Sequence, residues 1–253
     1  GIEEAPYLIA APGAFQYISY ELSSAYLMEN DIDLGDEICI PIGTFTEPFK
    51  GIFDGGGHTL SGLKVLTNSY AGLFGKASGA VFKNLRIDEA EIESTSSNAG
   101  ILVGYLENGN IEKCSMSGNV TGTAYVGGLV GQISGNSSKV IKCRMQGSVK
   151  GTEYVGGLIG GAKGNIEDCY AMGSVFSTKN HMYTGGLIGC IQLGNIKNSY
   201  AAAQVSKNGK GLVYKYYSVQ ENNSYYDVQT ADITNDPDKG KLTSAFTCKG
   251  FFK

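Results

Sequence analysis

The chain has 253 residues, a net charge of −4 and 20 basic side chains, of which only Arg86 and Arg144 are arginines. The lysines are scattered, whereas a protein that binds nucleic acid concentrates Lys and Arg on one face, so we expect no nucleic-acid partner. No apolar run approaches the roughly 18 residues of a membrane span, and we expect no membrane insertion. Gly1 followed by IEEAPYLI is typical of a chain trimmed after a leader segment.

The segment 12–24, PGAFQYISYELSS, predicts a helix near the N-terminus. Pro12 suits the first turn, and Ala14, Phe15, Ile18 and Leu22 fall on one helical face. We interpret this segment as a cap over one end of the fold.

Two short motifs follow that resemble ligand sites. NDIDLGD places Asp31, Asp33 and Asp36 close together, but it lacks the spacing and the final glutamate of an EF-hand, so we predict a structural turn and no metal. FDGGGHTLSG is rich in glycine, but no Lys-Ser/Thr and no βαβ unit accompany it, so we predict a corner in which His58 makes a local hydrogen bond.

A repeat occupies most of the remaining chain. The repeat core reads GLFG, ILVG, GLVG, GLIG and GLIG, and it ends at Gly75, Gly104, Gly131, Gly160 and Gly189, at intervals of 29, 27, 29 and 29 residues. Each core is followed by an apolar segment such as IEKCSM (111–116) and then by a valine (Val120, Val149, Val175 or Val205). Each unit therefore holds three short apolar segments separated by Gly, Asn, Ser and Lys.

These segments predict an all-β parallel β-helix with three strands per coil of 27–29 residues. They are short, rich in β-branched residues and alternate with period two. A propeller blade is the alternative, but blades usually have four antiparallel strands and about 40 residues. Crossover chirality favours a right-handed coil. The solenoid predicts that Val126, Val155 and Thr184 stack directly, about 4.8 Å apart.

Equivalent repeat positions predict inward columns. One column holds Leu85, Cys114, Cys143, Cys169 and Ser199, and another holds Ile or Val at 111, 140, 166 and 196. Side chains in a parallel ladder run side by side, so we expect Cys114, Cys143 and Cys169 to be buried free thiols. The pairing of Cys39, Cys190 and Cys248 stays open, as does the inward parity of the GGLVG strand, which needs two buried faces or a kink at Gly127–Gly128.

Tyrosines also share repeat positions. Tyr125, Tyr154 and Tyr183 occupy one position, and Tyr170 and Tyr200 occupy another. An exposed aromatic ladder suits contact with a sugar ring or a peptide, although stacked tyrosines are often simple packing. We take Tyr125, Tyr154 and Tyr183 as the candidate ligand-binding residues.

The repeats resemble the GLUG motif of bacterial surface proteins, adhesin-like proteins and some immunoglobulin A peptidases. PYLI (6–9), PIG (41–43) and FKGIFDGGGHTLSGLKV (49–65) resemble the usual lead-in to the first coil, and NNSYYDVQT (222–230) resembles the usual ending. The resemblance implies a secreted or bacterial cell-surface parallel β-helix. In the related peptidases, catalysis belongs to a separate zinc-binding module, whose His-Glu-x-x-His is missing from this sequence.

The interpretation is a single β-helix domain over residues 1–253, with an N-terminal cap (1–37), coils (38–228) and a C-terminal cap (229–253). We expect a non-catalytic adhesin-like protein, without a cofactor, that presents one face to a host or matrix glycan or protein. The alternatives are a polysaccharide-degrading lyase or hydrolase and a purely structural spacer. Acidic residues are few in the coils and do not align at repeat spacing, with Glu112 and Glu167 nearest to a stack, which disfavours the enzyme.

Overall fold

The computed structural model describes residues 1–35, 37–179, 183–215, 219–231 and 240–242. The described residues are almost entirely strands. The first part of the chain holds β1 (Tyr7–Ile9), a 3-10 turn (Pro12–Ala14), α1 (Phe15–Ile18), β2 (Ala25–Met28), β3 (Ile32–Asp33), β4 (Ile52–Asp54), β5 (Thr59–Ser61), β6 (Lys64–Thr67), β7 (Phe74–Ser78), β8 (Val81–Lys83) and β9 (Arg86–Ser94).

The middle coils continue with β10 (Val103–Glu107), β11 (Asn110–Glu112), β12 (Ser115–Thr121), β13 (Ala124–Gly127), β14 (Val130–Ser134), β15 (Lys139–Ile141), β16 (Arg144–Gly151), β17 (Glu153–Gly156), β18 (Ile159–Glu167), β19 (Tyr170–Ser177), β20 (Thr184–Gly185), β21 (Ile188–Lys197) and β22 (Tyr200–Val205). The last described elements are β23 (Val213–Lys215), β24 (Val219–Asn222), β25 (Tyr225–Asp227), α2 (Val228–Ala231) and β26 (Gly240–Lys241).

The strands stack as a parallel β-solenoid, which confirms the predicted fold class. Among the described residues, thirteen strands form one sheet, ten form a second, and β13, β17 and β20 form a short third sheet. The paired strands are all parallel, with partners about one repeat apart in the chain. Val126 pairs with Val155, and Val155 pairs with Thr184, as the solenoid requires. The propeller alternative, which needs antiparallel strands, is thereby excluded.

Glycines make the corner inside the GGLVG segment. β13 ends at Gly127 and β14 begins at Val130, so the chain kinks between them and both Val126 and Val130 reach the core. A Cβ on Gly127 would lie 2.1 Å from the carbonyl oxygen of Val130, which no side chain tolerates. The kink therefore explains how the GGLVG segment faces the core. Residues on both sides of Gly127–Gly128 are buried because the chain changes direction there.

A second corner separates the two largest sheets and has a left-handed backbone in each coil. The residues there have φ between 49° and 55°, and they are Asn84, Lys113, Lys142, Asp168, Asn198 and Asn223. This corner accounts for the predicted bend between Ile111 and Cys114. After this corner, each coil enters the ten-stranded sheet. The first residue past the corner belongs to the column that contains Cys114, Cys143 and Cys169.

The predicted inward columns are buried. Leu85, Cys114, Cys143, Cys169 and Ser199 are each about 1% exposed, as are the isoleucines and valines of the neighbouring column. The column continues to Ser224, which is also buried. The core therefore runs the length of the described coils as continuous rows of like side chains.

The N-terminal segment contains less helix than predicted. Only Phe15–Ile18 form an α-helix, preceded by a 3-10 turn, because Ser19 and Tyr20 follow in turns rather than in further helical residues. The predicted apolar face is correct, since Phe15 and Ile18 are buried and Phe15 packs against Phe53 at 6.0 Å between ring centroids.

Strands also begin earlier than the first coil that we predicted. β1 pairs with β2, and β2 pairs with β4, so residues 1–37 already contribute to the thirteen-stranded sheet. The domain boundaries at 37 and 228 stay predictions. Most of the predicted C-terminal cap lies outside the described residues.

Candidate ligand-binding face

The predicted tyrosine ladder forms on the outside of the short third sheet. The rings of Tyr125 and Tyr154 stack at 4.5 Å between centroids, and those of Tyr154 and Tyr183 stack at 4.9 Å, each pair 4° from parallel. Tyr125 and Tyr154 have positive φ values of 53° and 51°, and each comes immediately before a buried valine of β13 or β17. The structure thus brings the three predicted residues together in one row.

The ladder rests against small residues of the thirteen-stranded sheet. Gly161 lies under Tyr125, since a Cβ there would come within 2.7 Å of the ring. Burial raises the pKa of the Tyr125 and Tyr154 hydroxyls, and burial raises the pKa of the nearby Cys190 thiol to about 12. The rings are half-buried, and their faces are largely covered by one another. Ring edges and hydroxyl groups are therefore the parts that a ligand could contact.

A second outward column lies on the ten-stranded sheet, next to the left-handed corner. In successive strands it holds Arg86, Ser115, Arg144, Tyr170 and Tyr200. Tyr170 and Tyr200 stack at 5.1 Å, and the guanidinium of Arg144 donates to Ser115 Oγ at 2.6 Å and to the Tyr170 hydroxyl at 3.3 Å. Burial, with the neighbouring Tyr170 hydroxyl, raises the pKa of Tyr200 to about 12.

A groove of about 490 Å³ runs along this column and the adjacent corner. Its lining includes Arg86, Lys113, Lys142, Arg144, Asp168 and Tyr170. Sequence reasoning placed Tyr170 and Tyr200 at one repeat position but missed the arginines. The available signal was their spacing, because residues 86 and 144 are two 29-residue repeats apart.

The described carboxylates group along one strand rather than across strands at repeat spacing. Glu112 and Glu167 do not stack, because each pairs with Ile141, which separates them. Four carboxylates instead line one strand, β9, at Asp88, Glu89, Glu91 and Glu93. A comparison at repeat spacing misses this group because it runs along a strand rather than across strands.

One end of this acidic strand lies in a smaller groove beside the arginine column. This groove, of about 330 Å³, is lined in part by Asp88, Glu89, Arg144 and Gln146. Asp88 accepts a hydrogen bond from the hydroxyl of Ser117 at 3.3 Å, and Glu91 is 3.5 Å from the ammonium group of Lys64. Positive and negative side chains therefore share the outer face of the ten-stranded sheet.

The two N-terminal motifs make local structural contacts. Asp31 accepts a hydrogen bond from the backbone N–H of Thr59 at 2.8 Å, and its carboxylate lies 3.4 Å from His58 Nδ1. Asp33 accepts from the N–H of Gly35, and Asp36 lies outside the described residues. Gly56 and Gly57 have positive φ in the corner between β4 and β5. Within the described part of the chain, no group of three His, Cys, Asp or Glu residues is placed to hold a metal.

The cysteine column consists of free thiols, as predicted. The Sγ atoms of Cys114, Cys143 and Cys169 each donate to the carbonyl oxygen two residues before them, at 3.1–3.4 Å. Burial raises the pKa of Cys143 well above its ordinary value, and the two neighbouring thiols add to the effect. Cys39 and Cys190 are also free, and Cys248 lies outside the described residues. No helix among the described residues is long and apolar enough to cross a membrane.

Comparisons with known proteins agree with the repeat and with the fold. The GLUG motif matches residues 151–175 and 180–206. A stretch of 155 residues, 54% of this chain, is 33% identical to halomucin from Haloquadratum walsbyi, and it spans only 2% of that protein. The structure of a candidate immunoglobulin A1 protease from Bacteroides ovatus matches with a TM-score of 0.76 and 25% identity, over 89% of this chain and 76% of that one. The chain is a parallel β-helix, and its residues 151–175 and 180–206 carry the GLUG motif.

Proposed function

We propose that this GLUG-repeat β-helix is a non-catalytic, adhesin-like module of a secreted or surface protein, and that it presents an outer face to a host or matrix ligand. The observation that carries the proposal is the tyrosine ladder of Tyr125, Tyr154 and Tyr183, half-buried and held in register. A parallel coil repeats each outward position at about 4.8 Å, so side chains on this scaffold form a rigid linear array. Aromatic rings with polar tips suit contact with sugars and proteins.

The comparisons support an extracellular setting. One relative is named as a mucin, and the structural neighbour is described as a candidate protease of immunoglobulin A1; mucins and this antibody both occur outside cells. Fractionation of the source organism tests the location. Detection of the protein in the cytosolic fraction alone would contradict it.

The test of the ligand role begins with the intact chain on an array of glycans and matrix proteins. Replacing Tyr125, Tyr154 and Tyr183 by Phe removes the three hydroxyl groups but keeps the stacked rings. We expect this triple variant to lose binding and to keep its melting temperature within a few degrees. Unchanged binding by the triple variant would show that the three tyrosine hydroxyls do not contact the ligand. If nothing on the array binds the intact chain, the structural spacer is favoured.

A polysaccharide-degrading enzyme is the second candidate, favoured by the acidic strand beside the arginines. Such enzymes use two or three carboxylates, or a carboxylate-bound cation with a basic side chain, on one exposed sheet. Asp88, Glu89 and Arg144 share a groove. Release of reducing ends or unsaturated products from pectin, alginate or host glycans, lost in Asp88→Asn, would establish the enzyme and overturn the non-catalytic proposal.

A further inference from the structure

The groove beside Arg86 and Arg144 collects positive charge on a chain that is acidic overall. Its lining holds both arginines of the sequence, together with Lys113 and Lys142 of the left-handed corner, against one carboxylate, Asp168. Arg86 and Arg144 are both paired with Ser115 of the intervening strand, so they lie two strands, or about 10 Å, apart along the axis.

Most of this positive charge has no carboxylate partner. Lys113 lies 3.2 Å from Glu112, but within the described ranges Arg86, Lys142 and Arg144 make no ion pair. Arg144 is held by Ser115 and Tyr170, which fix its guanidinium without neutralising it. A guanidinium that is positioned but not neutralised is ready to bind an anion, since its planar fork matches a carboxylate or sulfate.

The lysines of the corner give an independent reason to assign a function to the groove. A left-handed backbone is most easily adopted by Asn or Asp among the non-glycine residues, and the other coils place Asn or Asp at this position. Lys113 and Lys142 instead adopt φ of 54° and 55° in the two consecutive coils that border the groove. Folding alone favours Asn there, so we attribute the lysines to the charge that they supply.

The shape and spacing of the groove select among anions. It extends across four strands, from Arg86 to Tyr170, or about 14 Å, and its volume suits a small elongated ligand. Duplex DNA carries one charge per roughly 1.7 Å, which is far denser than two arginines about 10 Å apart, and Asp88 and Glu89 lie beside Arg144 in the adjacent groove. A sugar chain with widely spaced charges fits the arginines, and the ring and hydroxyl of Tyr170 suit a sugar ring.

We propose that this groove binds an anionic polysaccharide whose carboxylate or sulfate groups contact Arg86 and Arg144, with the chain lying along the axis of the β-helix. Lys113 and Lys142 add attraction at the corner, and Tyr170 contacts a sugar ring. The proposal rests on the ligand-binding function proposed above and names the ligand class and a second contact site for it.

The test uses the intact chain and oligosaccharides of defined charge in calorimetric titrations. Hyaluronan oligosaccharides carry carboxylates only, chondroitin sulfate oligosaccharides carry carboxylates and sulfates, and chitin oligosaccharides are neutral. We expect binding of one or both anionic sugars and none of the neutral one. The stronger of the two anionic sugars identifies the charged group that the groove selects.

Variants assign the binding to the groove. Lys113→Asn with Lys142→Asn inserts the residue that the corner favours, so the melting temperature should hold or rise while affinity falls at least about tenfold, as expected for lost charged contacts. Arg144→Gln should weaken binding by a similar factor. Lys150→Asn is the matched control, because Lys150 is exposed on the same strand as Arg144 but outside the groove, and it should change affinity less than about twofold.

Three results would overturn the inference. They are tighter binding of the neutral sugar, unchanged affinity in the double Asn variant, and single-stranded DNA bound as tightly as the anionic sugars. If the chain binds partners on the array but none of these oligosaccharides, the groove assignment fails and the adhesin-like function stands. If the chain binds nothing on either test, both fail together.

Discussion

The first coils and the middle coils fill the same core columns with different side chains. Phe74 pairs with Val103, which pairs with Val130, and Phe82 pairs with Ile111, which pairs with Val140. The opening coil thus has phenylalanine at two columns where the later coils have valine or isoleucine. Phe49 and Phe53 join these rings, with centroids of neighbouring rings 4.7–5.8 Å apart.

The difference follows from what covers each coil. A middle coil packs between two similar coils, so identical medium-sized side chains stack well at strand spacing. The opening coils lie beneath the short α1, where Phe15 contacts Phe53, and next to β1 and β2, which do not carry the repeat. Large rings fill the space between these unlike elements, as Tyr26 of β2 does against Phe49. The uniform coils therefore depend on close backbone approach, and the opening coils depend on aromatic packing.

The largest effect is expected where the middle coils approach most closely. A Cβ on Gly156 would lie 2.0 Å from the carbonyl oxygen of Ile159 and 2.4 Å from the nitrogen of Gly189, and these backbone atoms cannot move aside. Gly156→Ala should therefore lower the free energy of unfolding by about 4 kcal/mol or more, or prevent folding. Denaturant titration measures this change in the free energy of unfolding.

Gly13→Ala is the control for that change, since no atom lies within 4 Å of its added Cβ. We expect a change within about 0.5 kcal/mol for this exposed position. A Gly156→Ala protein that is as stable as the Gly13→Ala protein would show that the coils can separate at this corner.

The opening coils should respond most to loss of a ring. Phe49 is fully buried and contacts Tyr26, Phe74 and Phe82. Phe49→Ala should cost about 3–5 kcal/mol of unfolding free energy, while Val130→Ala in a middle coil should cost about 2 kcal/mol. Equal costs in urea titrations would contradict the distinction between the two regions.

The same comparison explains what the sequence could predict. The 27–29-residue period identifies the columns of Cys114, Val120 and Val126, because stacked coils require like residues at like positions. The helix over 12–24 was overpredicted, since an apolar face at helical spacing also suits one turn followed by a bend. The groove at Arg86 and Arg144 forms because the corner brings outward side chains of neighbouring coils together. A search for carboxylates or tyrosines at repeat spacing does not reveal these neighbours.

Stability at high pH should fall because of the thiol beneath the tyrosine ladder. Burial raises the pKa of Cys190 from 9.0 to about 12, so the folded protein keeps a proton that the unfolded chain loses. The contribution is fully present below about pH 9 and is lost as the pH rises toward about 12. Denaturation midpoints should decline over this range, and less steeply in Cys190→Ala. Parallel declines in the two proteins would contradict the assignment to Cys190.

The smallest effect is expected in the cysteine column. Some coils have a thiol at this position and others have a hydroxyl, and the backbone is the same in both. Ser199 and Ser224 occupy the position of Cys143, and each hydroxyl donates to the carbonyl oxygen two residues before it, at 2.8 and 3.0 Å. The Cys143 thiol makes the same contact with Ile141 at 3.2 Å. A hydroxyl in Cys143→Ser would thus find a partner, and we expect a cost of about 1 kcal/mol or less.

Cys143→Ala removes the partner and leaves a small cavity, so it should cost about the same or slightly more. Thiol counting supplies the second measurement, without reductant, on native and denatured protein. Cys114, Cys143 and Cys169 are buried and should react only after denaturation, with one thiol fewer in Cys143→Ser. Reaction of all three in the native protein would mean that the middle coils open readily. Absence of all three after denaturation would mean that disulfides, rather than stacked free thiols, join neighbouring coils.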